Sequence, residues 1–527
     1  MHWTRWARYV LSIAVVVAAI ATFLPPTAAN ANLSSFPVAR TDKGLIKGTR
    51  VGDVREFLGV PYAAAPVGDL RWRPPQPAAS WRGVRSATQF GAHCAQNAGP
   101  FGVASGTEDC LFLNVFQPRF ALPGAPAAPV MVWIHGGALV VGESDDYNPT
   151  ALVQRGVIVV TINYRLGALG FLAHPALASE SPQGAAGNYG LMDQQAALQW
   201  VQRNIRNFGG NPHNVTIFGE SAGGLSVHTQ LVSPRAAGLF DKAIVESGAY
   251  QLNQPSLTTA EAAGTTFASN TGCADQTAAC LRNLPVSTIL AKQTGGNSAP
   301  TVDHFVLTNT VGASIKAGTF NHVPVIEGSN HDEWRLFVAQ TELAVGPLAP
   351  AGYIAAIQRT LGVPAAVASG LAAQYPLSNF ASPSLALSAL GTDAIFACNA
   401  RKVIDALASQ VPTFQYEFAD ENAPQRFLPP VSFPTGAYHA AEIQYLFTLP
   451  ETVPAPALNA DQQRLSQTMV RYWTQFAWFS NPNGFGTPIW PRYDSNTKQD
   501  QSFVPRDVAT ANTFATDHNC ATFGSTL

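Results

Sequence analysis

Gly219-Glu220-Ser221-Ala222-Gly223 is the segment with the most chemical content. It follows the β-branched run Val215-Thr216-Ile217-Phe218 and precedes residues 224–231, whose composition suits a helix. A serine flanked by glycines at a strand-to-helix junction forms a nucleophile elbow: the tight turn lifts the hydroxyl clear of a sheet. Side chains two residues before or after that serine would collide with the neighbouring strand and helix, so both positions are minimal. Attack on an ester carbonyl also needs backbone amides where negative charge develops on oxygen, each worth roughly 3 kcal/mol of barrier. The amide of Ala222, next to the nucleophile, is one candidate. Trp133-Ile134-His135-Gly136-Gly137-Ala138, after the apolar run 129–132, is the candidate loop for the others. Its small residues let the backbone approach a substrate closely. The bland alternative is an ordinary Gly-Gly turn.

Such groups work only if a rigid frame holds them. Residues 129–134 and 157–162 are β-branched apolar runs of buried-strand length, and 215–218, 243–245, 323–326 and 413–418 read as further strands. Residues 45–62 suggest short strands around a Gly-rich turn. Residues 188–208 have helical spacing, stopped by Gly209-Gly210-Asn211-Pro212, and 464–479 read as a late amphipathic helix. Strands alternating with helices predict an α/β fold, a mostly parallel sheet covered on both faces. The Ala-, Gly-, Ser- and Pro-rich stretch 256–392 is expected to lie over the sheet as helical insertions. No internal repeat or long linker is evident, so residues 32–527 are expected to form one catalytic domain.

Several motifs together resemble the type-B carboxylesterases, the α/β-hydrolase family that includes the cholinesterases. They are Glu108-Asp109-Cys110-Leu111-Phe112-Leu113-Asn114-Val115, the 133–137 segment, the 219–224 elbow, Gly328-Ser329-Asn330-His331-Asp332-Glu333 and Gly436-Ala437-Tyr438-His439-Ala440-Ala441-Glu442. The resemblance spans nearly the whole chain after the leader. It implies that Ser221 is the nucleophile, Glu333 the triad acid and His439 the general base, in the hydrolase order of Ser, acid, His. It further implies oxyanion amides from Gly137, Ala138 and Ala222, an acyl-enzyme intermediate, a small carboxylic ester as substrate and no metal or organic cofactor. His135 is the rival for the base and Asp332 the rival for the acid. Glu220, beside the nucleophile, either tunes the field on bound substrate or holds structure, and Arg71 with Glu108 resembles a structural ion pair of the family.

Three departures bear on specificity. Ala138 stands where many relatives have a third glycine, which narrows the pocket. Trp334 follows Glu333 where relatives often have glycine; it either lines the pocket or packs away. The segment between Cys94 and Cys110 contains no Trp, so the indole that holds choline in cholinesterases by cation-π attraction is absent and choline-ester specificity is not expected. The competing readings are lipase or amide hydrolysis on the same residues, and a non-catalytic adhesion or binding protein of the same fold. Relatives of that last kind typically lack the serine.

The bulk numbers exclude other classes. With 527 residues, 46% apolar and 12% charged, the chain has ample core and is not disordered. A net charge of -2 with no Lys/Arg run argues against a nucleic-acid partner. Arg5 and Arg8, the apolar run 9–24, Pro25-Pro26 and Ala29-Asn30-Ala31 have the layout of a signal peptide over 1–31, cleaved after Ala31. An uncleaved anchor is the alternative, although the run is shorter than the roughly 20 residues of a spanning helix. No other membrane span is expected, and the protein is expected to be secreted or held at the cell envelope. Six cysteines suit that compartment. No CxxC occurs, and of fifteen possible connectivities the local one is simplest: Cys94 with Cys110 and Cys273 with Cys280, leaving Cys398 with Cys520. The family resemblance implies the same pairing.

Overall fold

The computed structural model describes residues 36–119, 126–524 and 526–527. The expected signal peptide, 1–31, lies outside the described residues. An eleven-stranded sheet organises the rest. In chain order its strands are β1 (Thr49–Val51), β2 (Val54–Pro61), β3 (Phe112–Pro118), β4 (Ala128–Ile134), β5 (Ile158–Ile162) and β6 (Gly210–Glu220). Then come β7 (Lys242–Glu246), β8 (Val325–Asn330), β9 (Thr413–Phe418), β10 (Asp500–Val504) and β11 (Asp507–Ala511). Across the sheet the order is β11-β10-β9-β8-β7-β6-β4-β5-β3-β2-β1. The strands from β10 to β5 are parallel. Antiparallel pairs close both flanks.

The parallel centre is buried on both sides, which is why its strands read as continuous apolar runs. Alternate residues of β4 enter different cores: Val130, Val132 and Ile134 pack on one face, Met131 and Trp133 on the other. Helices α1 (Tyr189–Asn204), α2 (Ala222–Val232), α3 (Arg335–Val345), α4 (Cys398–Ala408) and α5 (Ala460–Phe479) include the principal cover. This is the mostly parallel, doubly covered sheet expected from the strand-helix alternation, and the α/β-hydrolase arrangement that the family resemblance implies. Helix α1 gives way to a short 3-10 turn and ends at Gly209, whose φ of +81° is the left-handed stop that the Gly-Gly pair announced.

The structure adjusts several sequence expectations. Strand β6 starts at Gly210, before the apolar run. The stretch 256–392 is largely helical, and the strand expected at 323–326 within it runs as β8 over Val325–Asn330. Strands β10 and β11 gave no apolar signal, because β10 opens with the buried polar pair Asp500 and Gln501 and β11 is the exposed edge. Disulfides join Cys94 to Cys110, Cys273 to Cys280 and Cys398 to Cys520. Among the described residues no single helix is long and apolar enough to cross a membrane.

The parallel pairing decides where chemistry can gather. In open α/β sheets, functional groups collect beyond the carboxyl ends of the strands. Ser221 follows β6, the 135–138 loop follows β4, Glu333 follows β8, and His439 lies on the long segment after β9. Because these four strands run the same way, all four segments emerge at one end of the sheet.

Candidate active site

Ser221 occupies the N-cap position of α2 with φ +56° and ψ -119°. A non-glycine residue with positive φ costs about 1–3 kcal/mol and persists only where its surroundings enforce it. Here the Ser221 amide donates to Glu246 O on β7 at 2.9 Å, and Ser221 O accepts from Leu225 N at 2.8 Å. A Cβ on Gly219 would lie 2.5 Å from Ile134 O, and one on Gly223 would overlap the same carbonyl. The two elbow glycines are therefore required by β4, which passes directly against the turn.

Ser221 and His439 line one cavity of about 330 Å³, together with Gly136, Gly137, Ala138 and Glu220. Gly137 has φ +95° and Ala138 φ +54°. This tight loop is closed by Val140 N and Val141 N, which both donate to Gly137 O at 3.0 Å. No acceptor is found for the Gly137 or Ala138 amide among the described residues. The Ala222 amide opens α2, where helical geometry offers it no partner either. Three amides without intramolecular acceptors thus belong to the segments around the serine.

The buried His439 ring places Nδ1 2.5 Å from Glu333 Oε2. Glu333 is fully buried. Its other oxygen accepts from Ser247 Oγ at 2.5 Å and from Asn330 N at 2.8 Å. Three donors thus converge on one carboxylate, and the hydrogen bonds to a charged group are worth about 1.5–3 kcal/mol each. The neighbouring acids have less support. Glu220 is held well above the usual carboxylate range by burial, then by Glu333 and Glu246. Glu246 is pushed up to about 8 by burial, although Trp473 Nε1 donates to it at 2.8 Å. Glu442 is likewise raised by burial and by Glu220, Glu333 and Glu246. Glu333 is thus the acid placed against His439 Nδ1, and a proton on Nδ1 directed at it would leave Nε2 to accept one.

Nε2 lies 3.2 Å from Glu220 Oε1. No hydrogen bond joins it to Ser221 Oγ among the described residues. Catalytic hydrogen bonds are commonly long or misaligned before substrate binds. The loop carrying His439 is fastened to the segment carrying Glu333: Asn330 Nδ2 donates to Tyr438 O at 2.8 Å, and Ala437 N donates to Asp332 Oδ2 at 3.0 Å. Phe337 and Phe396 flank the imidazole with ring centroids at 5.1 and 4.9 Å.

The rivals lie elsewhere. His135 is buried outside the cavity lining, stacked on Tyr164 at 4.5 Å, with its Nδ1 2.9 Å from Gly136 O. Burial lowers its pKa to about 4. Asp332 pairs with Arg335 at 2.8 Å and with His331 at 3.2 Å. Burial pushes its carboxyl up, but His331 and Arg335 hold it below the usual range. Trp334 packs against Phe337 at 4.4 Å and lines a neighbouring cavity rather than the one at Ser221. Arg71 binds Glu108 through two nitrogens and also donates to Arg282 O and Leu284 O, a structural tie. Sequence reasoning missed Ser247, Glu246 and Phe396. None sits in a recognisable motif, and only the crossing of β7 and the helical turn at 392–397 bring them to the site.

Residues 35–522 match the model of the carboxylesterase family. Rabbit cocaine esterase (Oryctolagus cuniculus) is 35% identical over 88% of this chain and 91% of its own. Fumonisin B1 esterase of Sphingopyxis macrogoltabida is 34% identical over 87% of this chain and 84% of its own. Mouse acylcarnitine hydrolase (Mus musculus) is 34% identical over 90% of this chain and 88% of its own. With an α/β-hydrolase sheet beneath it and a family match from end to end of the described body, the chain belongs to the carboxylesterase family and is a carboxylic ester hydrolase.

Proposed function

We propose that the protein hydrolyses carboxylic esters through an acyl-enzyme, with Ser221 as nucleophile, His439 as general base and Glu333 as the acid that orients it. The observation that carries this reading is the 2.5 Å contact of His439 Nδ1 with Glu333 Oε2, with Ser221 and His439 lining the same cavity. His439 Nε2 takes the Ser221 proton as Oγ attacks the carbonyl carbon. The amides of Gly137, Ala138 and Ala222 receive the oxyanion. The imidazolium, balanced by Glu333, then protonates the departing alcohol. Water repeats the cycle on the acyl-enzyme, releasing the acid and restoring Ser221. Every proton in this cycle is handled by side chains of the chain itself. For the first transfer Nε2 must engage Ser221 Oγ in place of its approach to Glu220 Oε1.

Three disulfides suit an oxidising compartment. Export, with cleavage after Ala31, is therefore part of the proposal, and the N-terminal sequence of protein recovered from culture medium tests it.

The test of the mechanism is labelling with a fluorophosphonate probe, followed by peptide mapping. Wild-type protein is expected to carry the label on Ser221. Ser221→Ala is expected to lose label and nitrophenyl-ester turnover while keeping its circular dichroism spectrum. Label on another residue, or substantial turnover by purified Ser221→Ala, rejects the assignment.

A further inference from the structure

The cavity at Ser221 has mainly apolar walls, with Phe101, Phe337 and Phe427 among them, yet the ionisable groups facing it are unevenly signed. Glu143, Asp146 and Glu220 line it, and His439 is the one basic side chain that does so among the described residues. Two of the three acids are nine-tenths buried or more: Glu143 is 1% exposed and Glu220 3%. Glu143 is fully engaged, accepting from Val103 N and from Gln96 Nε2, each at 3.0 Å. Glu220 Oε1 makes no hydrogen bond, only the approach to His439.

Asp146 differs from its neighbours. Asp145 next to it is held by His93 Nε2 at 2.9 Å. Asp146 makes no hydrogen bond or ion pair among the described residues. A half-buried carboxylate on an apolar wall has lost part of its hydration without a replacement donor. Its carboxyl is pushed up to about 7 by burial, then by Glu143 and Asp145, with His93 acting in the opposite sense. Once ionised, Asp146 in a concave, low-dielectric space concentrates ligands of the opposite sign. Aromatic faces in the same wall add attraction for a cation.

We propose that Asp146 is a specificity-determining residue of this cavity and selects esters that carry a cationic group, a protonated amine or a quaternary ammonium. The inference rests on the cavity being the ester site. It is independent of the tryptophan device of the cholinesterases, because here the anchor is a carboxylate beside the oxyanion loop.

The experiment compares matched esters. One pair of nitrophenyl esters has acyl chains of equal length ending in trimethylammonium or tert-butyl. A second pair carries the same two groups on the alcohol side. In wild-type protein the cationic-to-neutral ratio of kcat/KM is expected to be roughly 10 in at least one pair, the scale of one close, partly screened charge pair. That ratio is expected to rise between about pH 6 and 8 as Asp146 ionises, since the quaternary probe does not titrate. Glu143, Asp145, His93, Glu220 and His439 also face this region. The pH dependence is therefore assigned by its loss in Asp146→Asn, whose ratio is expected to fall to within about threefold of unity. Asp145→Asn, a nearby charge outside the cavity lining, is expected to keep the wild-type ratio. A wild-type ratio at or below unity in both pairs overturns the inference, as does an Asp146→Asn protein in which both members of a pair decline equally. Turnover of the neutral esters with labelling of Ser221, but a flat ratio, overturns this inference alone. Absence of both turnover and labelling overturns the mechanism and this inference with it.

Discussion

Glu333 is reached by Ser247 Oγ, Asn330 N and His439 Nδ1, whereas its neighbour Glu220 is pushed well above the usual carboxylate range by burial. Removing one donor therefore differs from removing the charge. Ser247→Ala is expected to lower kcat roughly 5- to 30-fold with little change in KM, the loss of one hydrogen bond of about 1–2 kcal/mol to an ionised group. Glu333→Gln is expected to lower kcat about 10³- to 10⁴-fold, because an amide neither balances the imidazolium nor enforces the Nδ1–H tautomer. Steady-state kinetics on a nitrophenyl ester separate the two; equal losses would mean Ser247 is not acting through Glu333. At the oxyanion loop, Ala138 holds φ +54° with its methyl beside the cavity. Ala138→Gly is expected to raise the hydrolysis of a tert-butyl ester relative to its n-butyl isomer at least about fivefold, the scale of one methyl's worth of space in a pocket. An unchanged ratio would place the steric limit elsewhere.

At the elbow the elements meet through backbone, so it is intolerant of growth. Gly223→Ala is expected to destabilise the fold by about 3 kcal/mol or more, because its Cβ meets the Ile134 carbonyl and carbonyls in a parallel sheet cannot retreat. A urea midpoint within experimental error of wild type would refute that. A second junction ties the chain's end to the wall behind His439. His518 Nδ1 lies 2.7 Å from Asp393, in the helical turn that carries Phe396, and its Nε2 lies 2.6 Å from Glu417 on β9. Burial pushes this imidazole down, but the two carboxylates push it further up, to about 10. The folded-state value exceeds the unfolded one of about 6.5. This stabilisation is therefore complete below about pH 6.5 and is lost as pH climbs through about 10. The thermal midpoint is expected to fall from pH 7 to 10, and His518→Gln is expected to flatten that slope; a slope unchanged in the variant would remove His518 as its source.

On the scale of the whole molecule, the three disulfides restrain very different lengths of chain. Cys398–Cys520 spans 122 residues and Cys273–Cys280 only 7. By loop-closure entropy the first is worth about 5 kcal/mol and the second about 2 kcal/mol. Replacing each pair by alanine is expected to lower the unfolding midpoint in that order, with activity lost at a lower temperature in the Cys398/Cys520 variant. The reason is local as well as global: Cys398 begins α4 directly after the turn that presses Phe396 on His439. The reverse order in denaturant melts would contradict the account.

The amino-acid sequence by itself determined the sheet class and the elbow, and the family resemblance it carries implied the segments proposed to hold the acid and the base. These are local matters: β-branched runs, small residues where backbones must touch, and short motifs each of whose residues lie within one turn or strand. The helix stop at Gly209 and strand β9 were legible for the same reason. The hairpin β10–β11 was not, because a polar edge has no apolar period to read. Nor were Ser247 and Glu246, which reach the site because β7 lies between β6 and β8 in the sheet order. Only the tertiary structure decided which of several acids meets His439, since that depends on which donors converge on each from separate elements. It also decided that Asp146 lines the cavity at Ser221 with no hydrogen bond or ion pair among the described residues, because the lining of a cavity is set by segments that the chain brings together from afar.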